Sequence, residues 1–392
     1  MSGRADPRPT RVLLFTDTLG DVNGVSRFIR NIAAQAAGSG RDLHVVTSTR
    51  LEVPRAGNIV NVPPIVAGKM PRYENLEVVL PPVRRMMRLA EKFAPDVIHV
   101  STPGPVGLCG VLAARRLGVP VAGVYHTDFP AYIDRLFDDG AYTLTTRAYM
   151  KAVYRRFAAV FTRSNDYAGS LMGLGVPAER IHRLQPGIDT AAFGSSFRDE
   201  DLWPRLGVPR EGVKVLYCGR MSVEKNLPFL SAVWKRVSAQ AAGRARLIVV
   251  GDGPYQAHMR GELEGAAAHF LGFRHGRELS AIYASSDVFV FPSTTDTLGQ
   301  VVMESQCSGL PVIVSDQGGP KEVVRHEQTG FVLPASNPRP WVEAIQKLAS
   351  DSELCARMGA AAERAIRPLS ISACFEQFWK VHERIGAART SN

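Results

Sequence analysis

The most specific group of residues that could do chemistry lies between Asp296 and Glu304. The apolar run Val288–Phe291 precedes it and predicts a strand, which places Asp296 at the strand exit and Glu304 inside the helix that follows. Free N–H groups at the start of that helix, within Thr297–Val301, can hold a phosphate or a sugar hydroxyl. A carboxylate on the inward face of the helix can bind a vicinal diol through both oxygens. The bland alternative is an N-capping aspartate with an unrelated exposed glutamate.

A second group contains two cations, Arg220 and Lys225, directly after the predicted strand Val213–Cys218. They flank a strand-to-helix turn and are expected at the carboxyl edge of a sheet. Two cations in that position suit a diphosphate that gains negative charge as it leaves. Because surface charge is the default for Arg and Lys, a solvated basic turn is the alternative.

Two weaker signals lie in the first half of the chain. The loop Gly20–Gly24 follows the first predicted strand and opens a helix, where glycine lets backbone approach a ligand and the helix dipole favours anions. It lacks the G-x-G-x-x-G spacing of dinucleotide sites, and a tight turn alone would explain it. His126 ends another predicted strand and is expected at the same edge of the sheet, although a lone histidine is more often structural.

The motifs of several other classes of site are missing. The sequence has no G-x4-G-K-[ST] phosphate loop, no G-x-S-x-G nucleophile elbow, no H-E-x-x-H and no His/Cys/Asp cluster at metal spacing. We therefore expect neither a metal nor a cofactor.

Short β-rich runs alternate with longer amphipathic segments along the chain, which predicts βαβ units, mostly parallel sheets and the α/β class. In the first half the predicted strands are Arg11–Thr16, Leu43–Thr47, Val97–Val100, Val121–Tyr125 and Val160–Thr162, and the predicted helices are Val25–Ala37, Val83–Phe93, Val106–Leu117 and Thr143–Phe157. In the second half the predicted strands are Val213–Cys218, Leu247–Val250, Val288–Phe291, Val312–Ser315 and Phe331–Leu333, and the predicted helices are Leu227–Ala239, Tyr255–Leu263 and Gly299–Ser308.

The segment Thr190–Pro209 is charged, contains prolines and has no clear periodicity, so we expect it to join two domains. We predict a Rossmann-like domain over residues 1–189, a second over 190–368, and a last helix within 369–392 that crosses back to the first. Two doubly wound domains facing each other would place a cleft between the carboxyl ends of both sheets.

The composition is that of a folded globular protein of 392 residues, with 45% hydrophobic and 21% charged residues. The net charge is +10, of which residues 1–190 contribute +8, and such a charge can attract a nucleic acid, an anionic lipid or a phosphorylated ligand. The five cysteines form no C-x-x-C pair, and no signal peptide or spanning helix is evident. We expect a cytoplasmic protein whose membrane contact, where it exists, is peripheral.

Taken together, these residues closely resemble the retaining nucleotide-sugar glycosyltransferases of family 4. The resemblance covers essentially the whole chain and is strongest at the family's pattern of an acid, seven residues and a glutamate. It implies the GT-B fold, in which two Rossmann-like domains face each other across a cleft. The features that carry it are, in chain order, Gly20–Gly24, His126, Arg220 and Lys225, Asp296 and Glu304, and Gly318-Gly319.

The resemblance implies a role for each matching position. Glu304 would hold the nucleotide ribose, Arg220 and Lys225 would grip the diphosphate, and His126 would lie beside the transferred sugar. Asp296 would meet the sugar hydroxyls, although the family commonly has the longer glutamate there. The implied catalytic residues are His126, Arg220, Lys225 and Asp296. The implied donor-binding residues are Gly20, Gly24, Arg220, Lys225, Asp296, Leu298, Gly299, Gln300, Val301 and Glu304.

A narrower resemblance is to enzymes that glycosylate lipid acceptors, including sulfoquinovosyl- and mannosyltransferases. It is carried by Thr16-Asp17, Val22–Val25, His126–Pro130 with Tyr132, and Pro186–Asp189. It implies that Asn23, Asp128 and Tyr132 bind the acceptor.

The expected reaction moves a hexose from a UDP- or GDP-sugar to a hydroxyl of a lipid or glycan acceptor. The resemblance implies retention, with the acceptor hydroxyl attacking on the face that the diphosphate leaves, so that no protein nucleophile is needed. The alternatives are a glycosyltransferase of polysaccharide or lipopolysaccharide assembly, and a nucleotide-sugar epimerase or hydrolase on the same scaffold. No nucleic-acid partner is expected, because no nucleic-acid-binding motif is present.

The segment Val83–Phe93 predicts an amphipathic helix with one basic and one apolar face. It could lie on an anionic membrane surface, which would place the protein on the inner face of the cell membrane. More often such a helix packs its apolar face on its own sheet.

Overall fold

The computed structural model describes residues 8–21, 24–70, 73–126, 140–163, 165–241, 244–296 and 298–390. The chain divides into two compact units. The first consists of residues 1–185 together with 372–392, and the second of residues 186–371.

The first unit is built on a parallel sheet in the order β3-β2-β1-β6-β7-β8-β9. Its strands are β1 (Val12–Phe15), β2 (Leu43–Thr47), β3 (Ile59–Asn61), β6 (Val97–Val100), β7 (Val121–Tyr125), β8 (Ala159–Thr162) and β9 (Ile181–Arg183). The strand order reverses between β1 and β6, which is the point where open α/β sheets bind ligands. A separate antiparallel hairpin is formed by β4 (Val66–Met70) and β5 (Tyr73–Leu80).

Both faces of this sheet are covered. Along β1, Leu13 and Phe15 pack into one apolar cluster, whereas Val12 and Leu14 pack into another on the opposite face, as the period of two in a strand requires. The helices are α1 (Gly24–Gly38), α2 (Val83–Phe93), α3 (Pro105–Leu117), α4 (Gly140–Tyr154) and α5 (Asn165–Gly173). Proline at the first position of α3 and a left-handed Gly118 after its end mark its limits.

The last helix of the chain, α13 (Ile371–Thr390), also belongs to the first unit. Phe375, Phe378 and Trp379 are buried in the same cluster as Val12 and Leu14. The α13 helix therefore supplies one side of the core of a sheet whose first strand lies more than 350 residues earlier.

The second unit is built on a parallel sheet in the order β12-β11-β10-β13-β14-β15. Its strands are β10 (Val213–Cys218), β11 (Ala245–Val250), β12 (Ala268–Gly272), β13 (Val288–Phe291), β14 (Val312–Ser315) and β15 (Gly330–Leu333). The order reverses between β10 and β13, and these two strands precede the two cations and the acid-to-glutamate segment. The two parallel sheets confirm the predicted α/β class.

Helices cover both faces of the second sheet, and Trp234 and Trp341 are fully buried in its core. These helices are α6 (Leu202–Arg205), α7 (Leu227–Ala241), α8 (Gln256–Glu262), α9 (Gly276–Ser285), α10 (Gln300–Cys307), α11 (Pro338–Ser350) and α12 (Ser352–Ile366). Asn337 and Asp351 cap α11 and α12 through their side chains. Within the described residues, no helix is both long and apolar enough to span a bilayer.

The formal charge is divided unequally between the units. Residues 1–185 and 372–392 carry 27 basic and 17 acidic side chains, whereas residues 186–371 carry 20 of each. The whole net charge of +10 therefore belongs to the first unit.

A pair of buried histidines joins α13 to the first sheet. His382 Nδ1 lies 2.7 Å from the carbonyl oxygen of Phe378, so this nitrogen carries the proton, and His382 Nε2 accepts from His99 Nδ1 at 2.9 Å. Burial lowers the pKa of His382 to about 4 and that of His99 well below its ordinary value. Both rings are therefore neutral at pH 7.

We predict that acid weakens the attachment of α13. The unfolded chain, with histidine pKa values near 6.5, binds more protons than the folded protein below neutral pH. Stability should fall as the pH drops from about 6.5 toward 4, by about 3 kcal/mol through the fully buried His382 alone. Hydrogen exchange of the α13 amides, corrected for the intrinsic rate at each pH, measures this loss.

The variant His382→Phe keeps a ring in place but removes the titrating nitrogen, so its stability should depend less on pH. His275→Phe changes an exposed histidine and should keep the wild-type dependence. The same pH slope in His382→Phe and in the wild type would contradict the prediction.

Candidate active site

The loop after β10 is hydrogen-bonded to the end of β11 and to the loop that follows it. Gly219 and Gly251 follow the adjacent strands β10 and β11, and the N–H of Gly219 donates to the carbonyl oxygen of Val250 at 3.0 Å. The N–H of Met221 donates to the carbonyl oxygen of Asp252 at 2.9 Å. The position of the loop that bears Arg220 therefore depends on the loop that follows β11.

Glycine permits this close approach. A Cβ on Gly251, whose φ is +132°, would lie 1.9 Å from the carbonyl oxygen of Gly219. A Cβ on Gly253, whose φ is +152°, would lie 2.4 Å from that of Met221. The turn Gly251–Pro254 thus acts as a template for the loop between Gly219 and Met221.

Lys225 and Asp296 are in direct contact. Lys225 Nζ donates to both carboxylate oxygens, at 2.9 Å to Oδ1 and 2.8 Å to Oδ2, and both side chains are mostly buried. Asn226 follows in the left-handed conformation and its side-chain amide donates to the carbonyl oxygens of Pro292 and Ala335. The structure therefore brings together one of the two predicted cations and the predicted acid.

Arg220 is more exposed than Lys225. Its guanidinium lies 3.8 Å from Glu224 Oε1, and 58% of its side chain is accessible. The backbone beneath it is fixed, because the hydroxyl of the buried Tyr217 donates to the Arg220 carbonyl oxygen at 3.0 Å. Arg220 is thus a cation on a rigid base with a side chain that is free to turn toward a ligand.

The segment before α10 is also held by glycine and backbone contacts. Gly299 caps α10 with a φ of +67°, and a Cβ there would lie 2.8 Å from Pro320. The N–H of Gly319 donates to the carbonyl oxygen of Asp296 at 2.8 Å. Leu298, Gln300 and Val301 are half-buried around this helix start. Thr297 lies outside the described residues.

Glu304 is buried inside α10 and only 3% exposed. The Tyr283 hydroxyl donates to its Oε2 at 3.2 Å. Burial, followed by the nearby Cys218 and Glu304, raises the pKa of Tyr283 well above its ordinary value, so Tyr283 stays a donor. The alternative interpretation, an exposed glutamate at this position, is therefore wrong.

In the first unit, His126 lies at the carboxyl end of β7. Its Nε2 is 3.1 Å from the hydroxyl of Ser101, and its ring packs edge-on against Phe28 at 5.5 Å between centroids. Burial, and then the charge of Arg163, lower the pKa of His126 well below its ordinary value. The ring is therefore neutral at pH 7 and can exchange a hydrogen bond without carrying charge.

Asp17, at the end of β1, is not among the predicted site residues. Its carboxylate accepts from the N–H groups of Gly104, Val106 and Gly107 at 3.0, 2.7 and 3.2 Å and from the Thr102 hydroxyl at 2.8 Å. Burial raises the pKa of Asp17 and these hydrogen bonds oppose the rise. The start of α3, a natural anion position, is thus filled by the protein's own carboxylate.

The two glycines of the Gly20–Gly24 loop have different surroundings. A Cβ on Gly20 would lie 2.4 Å from Cβ of Leu51, so packing within the protein requires this glycine. Gly24 begins α1 and is exposed, and a Cβ placed on it would meet no atom of the described residues within 4 Å, so packing there does not require glycine. Three predicted acceptor residues lie outside the described residues, namely Asn23, Asp128 and Tyr132.

Among the side chains that the structure describes, no three His, Cys, Asp or Glu groups gather as metal ligands would. What the second unit presents instead is a cation–carboxylate pair, an exposed arginine, a helix start and a buried glutamate. All follow β10 or β13, at the switch point of a parallel sheet.

Two such doubly wound sheets define the GT-B class of glycosyltransferase folds. A solved structure of this kind, Anabaena Alr3699/HepE in complex with UDP, matches 96% of this chain and 100% of its own with a TM-score of 0.76 and 18% sequence identity.

The family models agree with the fold. Glycosyltransferase Family 4 matches residues 22–192, and Glycosyl transferases group 1 matches residues 200–365. A GDP-mannose-dependent alpha-mannosyltransferase from Mycobacterium tuberculosis is 34% identical over 81% of this chain and 81% of its own length. The sulfoquinovosyl transferase SQD2 from Arabidopsis thaliana is 31% identical over 91% of this chain and 70% of its own. The chain belongs to the group 1 glycosyl transferase family.

We predict that Gly251→Ala disrupts the site. The added methyl group would collide with the Gly219 carbonyl oxygen at a φ that suits only glycine, which should cost on the order of 2–3 kcal/mol and displace the loop that bears Arg220. The thermal unfolding midpoint measures the cost. Gly261→Ala in α8, where no atom lies within 4 Å, is the control and should be neutral or stabilising. Equal midpoints for the two variants would refute the template role.

Proposed function

We propose that this protein transfers a hexose from a UDP- or GDP-sugar to a hydroxyl of a lipid or glycolipid acceptor, with retention of the anomeric configuration. The observation that carries the proposal is the contact between Lys225 and Asp296 at the switch point of the second sheet. A nucleotide sugar presents a diphosphate and sugar hydroxyls next to each other. A cation and a carboxylate side by side can bind these two groups together.

The other residues of the second unit suit the rest of the donor. Arg220 adds a second cation whose side chain can turn toward the diphosphate, and Glu304 offers a carboxylate for the ribose hydroxyls. The N–H groups at the start of α10 have no acceptor within the helix and can bind sugar or phosphate oxygens. The name of the M. tuberculosis relative makes GDP-mannose the first donor to test.

In the proposed reaction, the bond between the anomeric carbon and the β-phosphate oxygen breaks as the acceptor oxygen bonds to the same carbon on the same face. The acceptor proton passes to the departing phosphate oxygen. Negative charge develops on the diphosphate, and Arg220 and Lys225 stabilise it. His126, neutral and at a sheet edge, would contact the transferred sugar through a hydrogen bond.

We predict that Lys225→Ala and Arg220→Ala each lower turnover by about 10²- to 10³-fold, as loss of one preorganised charge-stabilising contact does. Release of GDP or UDP from a panel of nucleotide sugars, with and without a lipid extract, measures this. Arg357→Ala is the matched control, since Arg357 is exposed on α12, and it should keep wild-type turnover.

Wild-type turnover in both site variants would exclude the proposed donor clamp. Nucleotide release that does not depend on the extract would instead indicate the hydrolase or epimerase alternative.

Support for a lipid acceptor comes from the surface of the first unit. In the β4–β5 hairpin, Val66 pairs with Leu80 and Gly68 with Val78 on one face, while Ala67 pairs with Val79 on the other. Val79 is buried in the core, whereas Val66, Val78 and Leu80 are 57%, 47% and 54% exposed. An exposed apolar face on a hairpin is unusual for a free surface and indicates a contact.

A basic surface follows the hairpin directly. The α2 helix buries Met86 and Ala90 in the core, so its apolar face packs on its own sheet and is not free to enter a bilayer. Its basic side chains are exposed, namely Arg84, Arg85, Arg88 and Lys92. An apolar patch next to cations complements an anionic membrane surface, on which the protein would sit peripherally at the cytoplasmic face.

We predict that the basic face of α2 is required for binding to anionic vesicles. Each cation near the surface contributes about 1 kcal/mol, so the triple variant Arg84→Gln/Arg85→Gln/Arg88→Gln should bind about 100-fold more weakly. Co-sedimentation with phosphatidylglycerol-containing and phosphatidylcholine vesicles at low salt measures this binding. The control Arg339→Gln/Arg357→Gln/Arg364→Gln removes the same charge from the second unit and should bind as the wild type does. Equal loss in both variants would argue against a local surface.

A further inference from the structure

Arg163 is a cation at the carboxyl edge of the first sheet, directly after β8. Its guanidinium carbon lies 4.5 Å from the centroid of the Phe28 ring. His126 packs against the same ring from β7, and its Nε2 is within reach of the Ser101 hydroxyl after β6. Consecutive strand ends of the sheet thus place an arginine and a histidine against one aromatic ring, with a hydroxyl within hydrogen-bond reach of the histidine.

The charge of Arg163 has no counter-ion in the part of the chain that the structure describes. No carboxylate of the described residues is paired with its guanidinium, and its Nε is buried with no hydrogen-bond partner. The neighbouring group on α13 is the thiol of Cys374, whose pKa is raised by burial, so it is neutral at pH 7. Burial lowers the pKa of Arg163 itself, which shows that the charge is held in a costly environment.

The stability of the fold does not explain why this position holds an arginine. Buried or half-buried cations are normally paired, because desolvation is costly and a partner offsets it. The contact with Phe28 stabilises the charge by about 0.5–2 kcal/mol. A neutral Leu or Met in the same space would avoid the desolvation cost entirely. An arginine without a counter-ion in the described residues, close to the hydrogen-bonded pair His126 and Ser101, is what a site for an anion needs.

Resting on the proposed transferase function, we propose that Arg163 binds a phosphate group of the acceptor, so that the acceptor is an anionic, phosphate-bearing polyol or lipid headgroup. The planar guanidinium can donate two parallel hydrogen bonds to phosphate oxygens, with Phe28 holding its plane. His126 and Ser101 add hydrogen-bonding groups beside it. The positive charge that the first unit carries in excess draws such an acceptor toward the site.

Binding of small phosphate probes to the full-length protein tests this assignment. In isothermal titration, glycerol 3-phosphate should bind much more tightly than glycerol. Arg163→Gln should weaken the binding of glycerol 3-phosphate by about 10- to 100-fold, the usual effect of losing a charge-assisted contact. Arg163→Lys keeps the charge but not the planar guanidinium. Its affinity for glycerol 3-phosphate should lie between those of the wild type and Arg163→Gln. Arg155→Gln removes an exposed arginine of the same unit and is the control.

A second arm separates a lipid headgroup from a soluble phosphate. Transfer to phosphatidylglycerol and to diacylglycerol is compared in neutral detergent micelles, which present no charged membrane surface. If Arg163 binds the phosphate of a lipid headgroup, Arg163→Gln should raise KM for phosphatidylglycerol at least about 10-fold and leave KM for the nucleotide sugar unchanged. An effect of Arg163→Gln on glycerol 3-phosphate alone would assign a soluble phosphate compound.

The inference fails if Arg163→Gln binds glycerol 3-phosphate and uses phosphatidylglycerol as the wild type does, or if it raises KM for the nucleotide sugar instead. It also fails if neither probe shows binding that depends on Arg163. An unchanged thermal midpoint in Arg163→Lys separates loss of binding from loss of folding. Failure of the wild type to release nucleotide from any donor would refute the proposed transferase function separately.

Discussion

Parallel strands that are buried on both faces impose the main constraint on this molecule. Such strands can present polar groups only where they end, and all strands of a parallel sheet end at one edge. Asp17, Ser101, His126 and Arg163 follow four strands of the first sheet. The residues that we propose bind the donor follow two strands of the second. The chemistry of each unit is therefore concentrated at one edge, while the rest of each sheet can be purely apolar.

The loops at those edges are fixed by internal contacts and leave particular places open. Gly251 and Gly253 let one loop shape the next, and Asp17 fills the start of α3 with the protein's own carboxylate. The start of α10, by contrast, is bordered by the Lys225–Asp296 pair and holds no carboxylate of its own in the described residues. The two helix starts thus differ: the first is occupied by a carboxylate of the protein itself, and the second is the one at which the proposed donor would bind.

The sequence predicted the α/β class and the main strands of both sheets, because buried parallel strands are continuous apolar runs. It did not predict β3, β4, β5, β9 or β12, which are short or partly exposed and so carry weak patterns. The acid-to-glutamate segment was recognisable because its residues are close in sequence. Asp17 appeared only as part of the narrower resemblance, without a role, and Arg163 did not appear at all. Their significance lies in what they contact across the sheet edge, and hydrogen-bond partners almost 90 residues apart leave no local signal.

The attachment of α13 to the first sheet has a consequence for the order in which the chain can fold during synthesis. Residues 186–371 form one uninterrupted unit that can complete its core once they have emerged from the ribosome. The face of the first sheet that carries Val12 and Leu14 must wait for Phe375, Phe378 and Trp379. The unit that begins the chain is thus the last to be finished, and until then its uncovered apolar face is exposed to chaperones and to aggregation.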